Sequence, residues 1–276
     1  MDTLRLTHPH MHGPAVKRLQ EFGDLMGYDY GPNDGIFGLD TELVVLDIQK
    51  FLGLKQDGAC GPKTWKGILE YLDKDAEPEG GIVDIVGRHK RPKLYGRPRA
   101  WRDIKGVTLH QTGCTMPTDP RNWRRLNAHV GLPKGGGIVL VNAFTDMIWH
   151  GQGLSQHTIG IEIEGNFYGV EGRENTLWKG GGSAAVLTDD QLVASMELFK
   201  YISAQFLANG QTWEVVKAHR QSYRSRHGDP GSEIWQKIAI PWMEKLGASD
   251  GGSGWFTGSG RPIPRDWNPE YTARYW

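Results

Sequence analysis

The first 72 residues say the same short phrase twice, and a chain that repeats a turn-and-helix unit over so short a span has few ways to fold. Asp34-Gly35-Ile36-Phe37-Gly38 is followed by Thr41, and Asp57-Gly58-Ala59-Cys60-Gly61 by Thr64, an offset of 23 residues. In each copy a glycine-bearing turn precedes a threonine placed to start a helix, and apolar residues follow at helical spacing. Leu43, Val44, Leu46, Phe51 and Leu52 are expected on one buried stripe, and Trp65, Ile68, Leu69 and Leu72 on another. An earlier helix from Ala15 to Met26 presents Val16, Leu19, Phe22 and Leu25, which completes a compact all-α, three-helix unit over residues 1–72.

Two such units of ordinary size fit the 276 residues. Residues 73–99 read as a linker: Asp73 to Gly81 is acidic and glycine-bearing, a basic run surrounds Arg88 to Lys93, and Ile82, Val83, Ile85 and Val86 are apolar enough to dock on the following domain. From Lys105 onward short apolar runs alternate with amphipathic segments. Strands are expected at Val107 to Leu109, Ile138 to Val141, Thr158 to Ile163 and Val215 to Ala218. Helices are expected from about Arg121 to Val130, from Thr188 to Leu207 with a Thr188/Gln191 capping box, and from Glu233 to Lys245 with Ser232 as N-cap and an interruption at Pro241. That alternation predicts an α/β domain over residues 100–248, a mixed central sheet flanked by helices. Residues 166–187 are expected to form a long irregular insertion. The tail, 249–276, carries Trp255, Phe256, Trp267, Tyr271, Tyr275 and Trp276, expected to cover an apolar patch of the second domain.

Several function classes are disfavoured. Lys plus Arg and Asp plus Glu are 32 each, so no net field draws the chain to nucleic acid or an anionic membrane. Cys60 and Cys114 are too few and too distant to make a disulfide framework, and both are expected as free thiols. No apolar stretch approaches the roughly 18 residues of a spanning helix. The N-terminal Met1-Asp2-Thr3-Leu4-Arg5-Leu6-Thr7-His8 lacks the apolar core of a secretory signal, so cytoplasmic synthesis is expected, and a monomer.

Position separates two of the ten histidines from the rest. His110 ends Val107-Thr108-Leu109 and His219 ends Val215-Val216-Lys217-Ala218, each where a buried strand emerges at a sheet rim. If those strands are neighbours, both imidazoles reach one cleft. Asp229, in the tight turn Asp229-Pro230-Gly231, offers a rigid carboxylate as third ligand. Two imidazoles and a carboxylate suit an open Zn2+ site with a fourth position for water. In Ile159-Gly160-Ile161-Glu162-Ile163-Glu164, strand alternation turns Glu162 and Glu164 to the face opposite Ile161 and Ile163, a placement that suits a base beside a metal. Cys114 is a weaker alternative ligand, His129 is expected as a packed or capping residue, and His8, His10 and His12 lie in a terminal tract of little functional weight.

These residues carry two resemblances. Leu19-Gln20, Asp34 to Thr41, Ile48-Gln49 and Asp57 to Thr64 resemble the peptidoglycan-binding domain appended to wall hydrolases. Val107-Thr108-Leu109-His110, Trp149-His150-Gly151, Ile159-Gly160-Ile161-Glu162 with Glu164-Gly165, and His219 followed by Asp229-Pro230-Gly231 resemble, in order, the type 2 N-acetylmuramoyl-L-alanine amidase family, which includes the peptidoglycan recognition proteins. The second resemblance implies zinc held by His110, His219 and Asp229, Glu162 as catalytic base, Glu164 behind it, and bacterial peptidoglycan as partner. His150 and Trp149 are candidate substrate contacts, with a structural role for His150 as the alternative. The family's oxyanion-stabilising lysine is replaced here by His227, taken as the oxyanion donor, with Arg226 as its competitor unless strand-like alternation turns it away. The expected reaction is hydrolysis of the amide between N-acetylmuramic acid and L-alanine, in a phage endolysin given the absent signal. The alternatives are a bacterial autolysin, a non-catalytic wall receptor, and a zinc peptidase cutting within the stem peptide.

Overall fold

The structure is a computed structural model that describes residues 3–28, 30–75, 81–86, 98–252 and 260–268. The basic run around Arg88 to Lys93 and the tail aromatics Trp255, Phe256, Tyr271, Tyr275 and Trp276 lie outside the described residues. The described residues divide between two compact units, one drawn from residues 1–78, 199–213 and 245–247, the other from 79–198, 214–244 and 248–276.

The repeat explains itself in the first unit. Helices α1 (Pro14–Leu25), α2 (Leu39–Phe51) and α3 (Pro62–Asp75) enclose Val16, Leu19, Phe22, Val44, Val45, Ile48, Trp65 and Ile68. A buried glutamine on each of the first two helices then ties down the turn that follows it. The Gln20 amide donates to Asp34 Oδ1 (3.1 Å), the Ile36 carbonyl (3.2 Å) and Thr41 Oγ1 (3.0 Å), while its oxygen accepts the Gly35 N–H (2.9 Å). Gln49 repeats the pattern on Asp57, Ala59 and Thr64, and accepts the N–H groups of Asp57 and Gly58. A buried amide must fill its hydrogen-bonding capacity, which fixes both turns. This wiring also corrects the expected stripe on α2. Thr41 and Gln49 have to face inward, so Val44, Val45 and Ile48 are buried with them, whereas Leu43 and Phe51 are about half exposed.

In the second unit a six-stranded mixed sheet runs in the order β1 (Ile82–Asp84), β4 (Ile138–Leu140), β3 (Val130–Leu132), β5 (Thr158–Ile163), β2 (Gly106–Gln111), β8 (Val215–Ala218). Strands β5, β2 and β8 are parallel neighbours, with Leu109 opposite both Ile161 and Ala218 and His110 opposite Glu162. All four expected strands are found: they are buried along nearly their whole length, β8 at the end of the sheet included, and such strands read as continuous apolar runs. Ile82 to Asp84 form an edge strand paired to β4, and Ile85 is buried. Helix α4 (Asp189–Ala208) opens with the expected reciprocal cap: Thr188 Oγ1 accepts the Gln191 N–H (3.1 Å) and Gln191 Oε1 accepts the Thr188 N–H (3.2 Å).

Three expectations are corrected. The helix expected over 121–130 is a 3-10 turn, Pro120–Arg125, capped by the Asp119 carboxylate, and the chain then extends into β3. Buried Trp123 at the turn and the pairing of Val130 to Leu132 with β5 outweigh the weak periodicity. The segment 232–246 is continuous through Pro241: α5 (Ser232–Ile234) passes into a π turn (Trp235–Ala239) and then α6 (Ile240–Leu246), with Gly231 as the cap in place of Ser232. The wider turn just ahead of the proline accommodates its ring and its missing N–H, so the helix does not end. The insertion 166–187 contains a hairpin, β6 (Tyr168–Val170) and β7 (Arg173–Leu177).

Candidate active site at the carboxyl ends of three strands

In a sheet of this kind ligands gather beyond the carboxyl ends of parallel strands, and here the ends of β5 and β8 deliver Glu162 and His219 to the lining of one cleft of about 510 Å³, with His110 of β2 buried against His219. His110 Nδ1 lies 2.7 Å from His219 Nδ1, and His219 Nδ1 lies 2.9 Å from Asp229 Oδ2. Those donor atoms all fall within 4.8 Å of one another, making the one such group of three among the described residues. Cys114 is exposed and outside it. Asp229 is held from two sides, its Oδ1 accepting the Gln111 N–H (2.9 Å) and its carbonyl accepting the Arg220 N–H (2.9 Å).

The hydrogen bonds behind His110 determine which of its nitrogens is free. His150 Nε2 lies 3.0 Å from the Thr158 carbonyl, which can only accept, so this nitrogen carries the proton. Burial, the largest cause, pushes the His150 pKa down to about 3, so the ring is neutral and its Nδ1 bears a lone pair. That lone pair accepts from His110 Nε2, 3.1 Å away. His110 is itself neutral, its pKa held well below the ordinary histidine value by burial and then by His219. Its Nδ1 is therefore unprotonated and turned to His219 and Asp229. Two imidazole nitrogens facing each other at this distance beside a carboxylate have the donor chemistry of a divalent-cation site, and the residues fit zinc.

His150 thus stands behind His110, and only 4% of it is exposed, whereas Trp149 is 56% exposed on the cleft wall. Gly160 makes room for this arrangement: a Cβ there would come within 2.7 Å of the His150 ring. Arg99, the last residue of the expected linker, is buried among main-chain oxygens, with Nη1 donating to Ser155 (2.6 Å) and Thr158 (2.8 Å) and Nη2 to Phe144 (2.8 Å). It fixes the same carbonyl that orients His150. Nothing in its sequence neighbourhood marks it for that. His129 is buried with Nδ1 accepting the Gly160 N–H (2.9 Å), a packed residue at the start of β3.

Glu162 faces the metal-ligand group with one oxygen, Oε2, buried and without a hydrogen-bond partner. Burial first and Asp229 second raise its pKa to about 8, against opposing pulls from Lys179 and Arg226. Glu164 is different: its Oε1 accepts the Met116 N–H (2.9 Å) and its Oε2 the Lys134 N–H (3.0 Å), tethering two loops.

His227 lies off the cleft lining, among Arg220, Arg261 and Arg173, and burial with those charges lowers its pKa. Its carbonyl accepts from Arg220 Nη1, and the Arg220 guanidinium in turn sits over the buried ring of Trp267, 5.0 Å from its centroid. Arg226, in the 3-10 turn Arg224–Arg226, lines the cleft together with Lys179 and Tyr223. Strand alternation does not apply in a 3-10 turn, so the argument that turned Arg226 away fails.

Comparison with known proteins agrees on both halves of the chain. Residues 100–232 match the family described as N-acetylmuramoyl-L-alanine amidase, and residues 12–68 match the one described as "Putative peptidoglycan binding domain". A segment of 89 residues is 32% identical to the N-acetylmuramoyl-L-alanine amidase CwlM of Mycobacterium tuberculosis, covering 32% of this chain and 22% of that protein, so the chain matches about a fifth of its relative's length. Among solved structures, the endolysin amidase LysCS from Clostridium intestinale is 15% identical with a TM-score of 0.41, covering 63% of this chain and 99% of that one. Drosophila peptidoglycan recognition protein SD is 14% identical with a TM-score of 0.40, covering 65% and 98%. The chain therefore carries a domain of the N-acetylmuramoyl-L-alanine amidase family over residues 100–232, preceded by one of the peptidoglycan-binding family over residues 12–68.

Proposed function

We propose that the protein is a zinc-dependent amidase that cleaves the bond between N-acetylmuramic acid and L-alanine in bacterial peptidoglycan. The observation that carries this reading is the convergence of His110 Nδ1, His219 Nδ1 and Asp229 Oδ2 beside the unpartnered oxygen of Glu162. Zinc would be held by those three atoms, where it supplies Lewis acidity to the attacking water and the scissile carbonyl.

The chain's own residues do the remaining work. His150 keeps the His110 proton on Nε2 and its lone pair on Nδ1. A dication held beside it would favour the ionised form of Glu162 against its burial, and the carboxylate then accepts the proton of the attacking water as its oxygen adds to the lactyl carbonyl carbon. Arg226, which lines the cleft where His227 does not, donates to the oxyanion that develops. As the carbon–nitrogen bond breaks, the Glu162 carboxylic acid returns the proton to the departing alanine nitrogen, leaving a lactyl carboxylate and a free amine. Trp149 and Tyr223, both about half exposed on the cleft wall, present flat apolar faces to a sugar. The first unit keeps the catalytic domain on an insoluble substrate by raising its effective concentration there.

Identification of the ends formed on purified wall tests the reading. The expected result is released peptide with free N-terminal alanine and no new reducing sugar. Other new amino termini would indicate a peptidase, and wall binding with no release would indicate a receptor.

A further inference from the structure

The hairpin inserted between β5 and α4 ends at the cleft, and what it brings there is not used by the hydrolysis just derived. Trp178 Nε1 donates to the Ser225 carbonyl (2.9 Å), and the indole lies against Gly228, where a Cβ would meet Trp178 Cβ at 2.6 Å. Lys179 follows directly. Its carbonyl accepts from the Asn166 amide (3.1 Å) and its Nζ donates to the Thr112 carbonyl (2.8 Å), so backbone and ammonium are both anchored on the rim. Two cations lie over the Trp178 ring, Lys179 Nζ 5.3 Å and the Arg226 guanidinium 5.1 Å from its centroid. Among the described residues neither cation is ion-paired with a carboxylate, although both line the cleft.

We infer that Lys179 forms a carboxylate seat, distinct from the oxyanion position at Arg226, that favours wall peptides carrying a free carboxylate on the residue after the alanine. A peptide extended at about 3.3–3.6 Å per residue places the carboxylate of the residue after the alanine two such spans, roughly 7 Å, from the scissile carbonyl. The ammonium spends one of its three N–H groups on Thr112 and keeps two for the ligand.

The proposal rests on the amidase reading for the identity of the ligand, and the test separates the two. The probes are N-acetylmuramoyl tripeptides that differ only in whether the second residue's α-carboxyl is free or amidated. In the zinc-loaded full chain the acid is expected to be favoured about five- to tenfold in kcat/KM, the scale of a partly exposed charge-assisted contact. Lys179→Met should abolish that preference and Lys179→Arg should retain it. An acid-to-amide ratio unchanged in Lys179→Met overturns the proposal. If the parent cleaves neither probe, calorimetric binding of the same pair decides: a preference in Kd that disappears with Lys179→Met sustains the seat while the amidase reading fails, and equal Kd values overturn the seat.

Discussion

His150 shows how much one imidazole can do from behind another. Because its Nε2–H is committed to the Thr158 carbonyl and its Nδ1 to His110, replacing it frees the His110 ring to rotate and to exchange tautomers. Loss of a partner of this kind costs roughly 10–100-fold in metal affinity or activity. His150→Ala is expected to weaken zinc binding by that factor, as measured by competition with a chromogenic chelator, while Trp149→Ala leaves zinc affinity unchanged and raises KM. Glu162→Gln is expected to lower kcat by about 10²–10⁴, the usual contribution of a general base, with zinc still bound. In the sequence His110, His219, Asp229 and Glu162 were legible because strand ends, strand alternation and a tight turn each fix a direction. His150 was visible only as half of a Trp-His pair, and its ring contact depends on an open space at Gly160 that a one-dimensional pattern does not reveal. A family position alone does not fix a side-chain direction: it pointed to position 227, whereas the residue of the 3-10 turn that lines the cleft is Arg226.

At the level of elements, the two glutamine-tied turns are the clearest link between sequence and structure. Gln49→Leu leaves the Asp57 and Gly58 N–H groups without their acceptor, and buried orphans cost about 1–3 kcal/mol each. The first unit is expected to lose about 2 kcal/mol or more, readable as a lower urea midpoint of its unfolding transition. Glu21 on α1 makes a second prediction. It is 3% exposed, its Oε1 has no partner, and burial raises its pKa to about 8. The folded state therefore holds this proton more tightly than the unfolded chain does. The stabilisation is complete below the unfolded carboxyl's pKa near 4.5 and is lost as pH rises toward about 8, with a slope approaching 1.4 kcal/mol per pH unit. Hydrogen exchange of the α1 amides measured between pH 5 and 8, corrected for intrinsic rates, should show that slope in the parent and a flat profile in Glu21→Gln. The strands and α4 were readable because apolar runs and a capping box are local signals. The 3-10 turn at 120–125 and the passage through Pro241 were not, because packing around Trp123 and the π turn at Trp235–Ala239 are tertiary solutions to local preferences.

Across the whole molecule, 32 basic and 32 acidic residues cancel, and among the described residues no helix is long and apolar enough to cross a membrane. On the proposed reading recognition falls to shaped sites, one in each family domain, and metal binding to three side chains drawn from β2, from the residue after β8 and from the Asp229 turn. A ligand that binds only the folded chain stabilises it by mass action, so saturating zinc should raise the thermal midpoint of the parent and leave His219→Ala unmoved. The most direct test is metal content measured with wall cleavage on the same preparations. The account predicts one zinc per chain in the parent, cleavage lost on chelation and restored by zinc, and neither metal nor cleavage in His219→Ala. A fully active preparation stripped of metal, or a His219→Ala chain that keeps both its zinc and its cleavage, would contradict it.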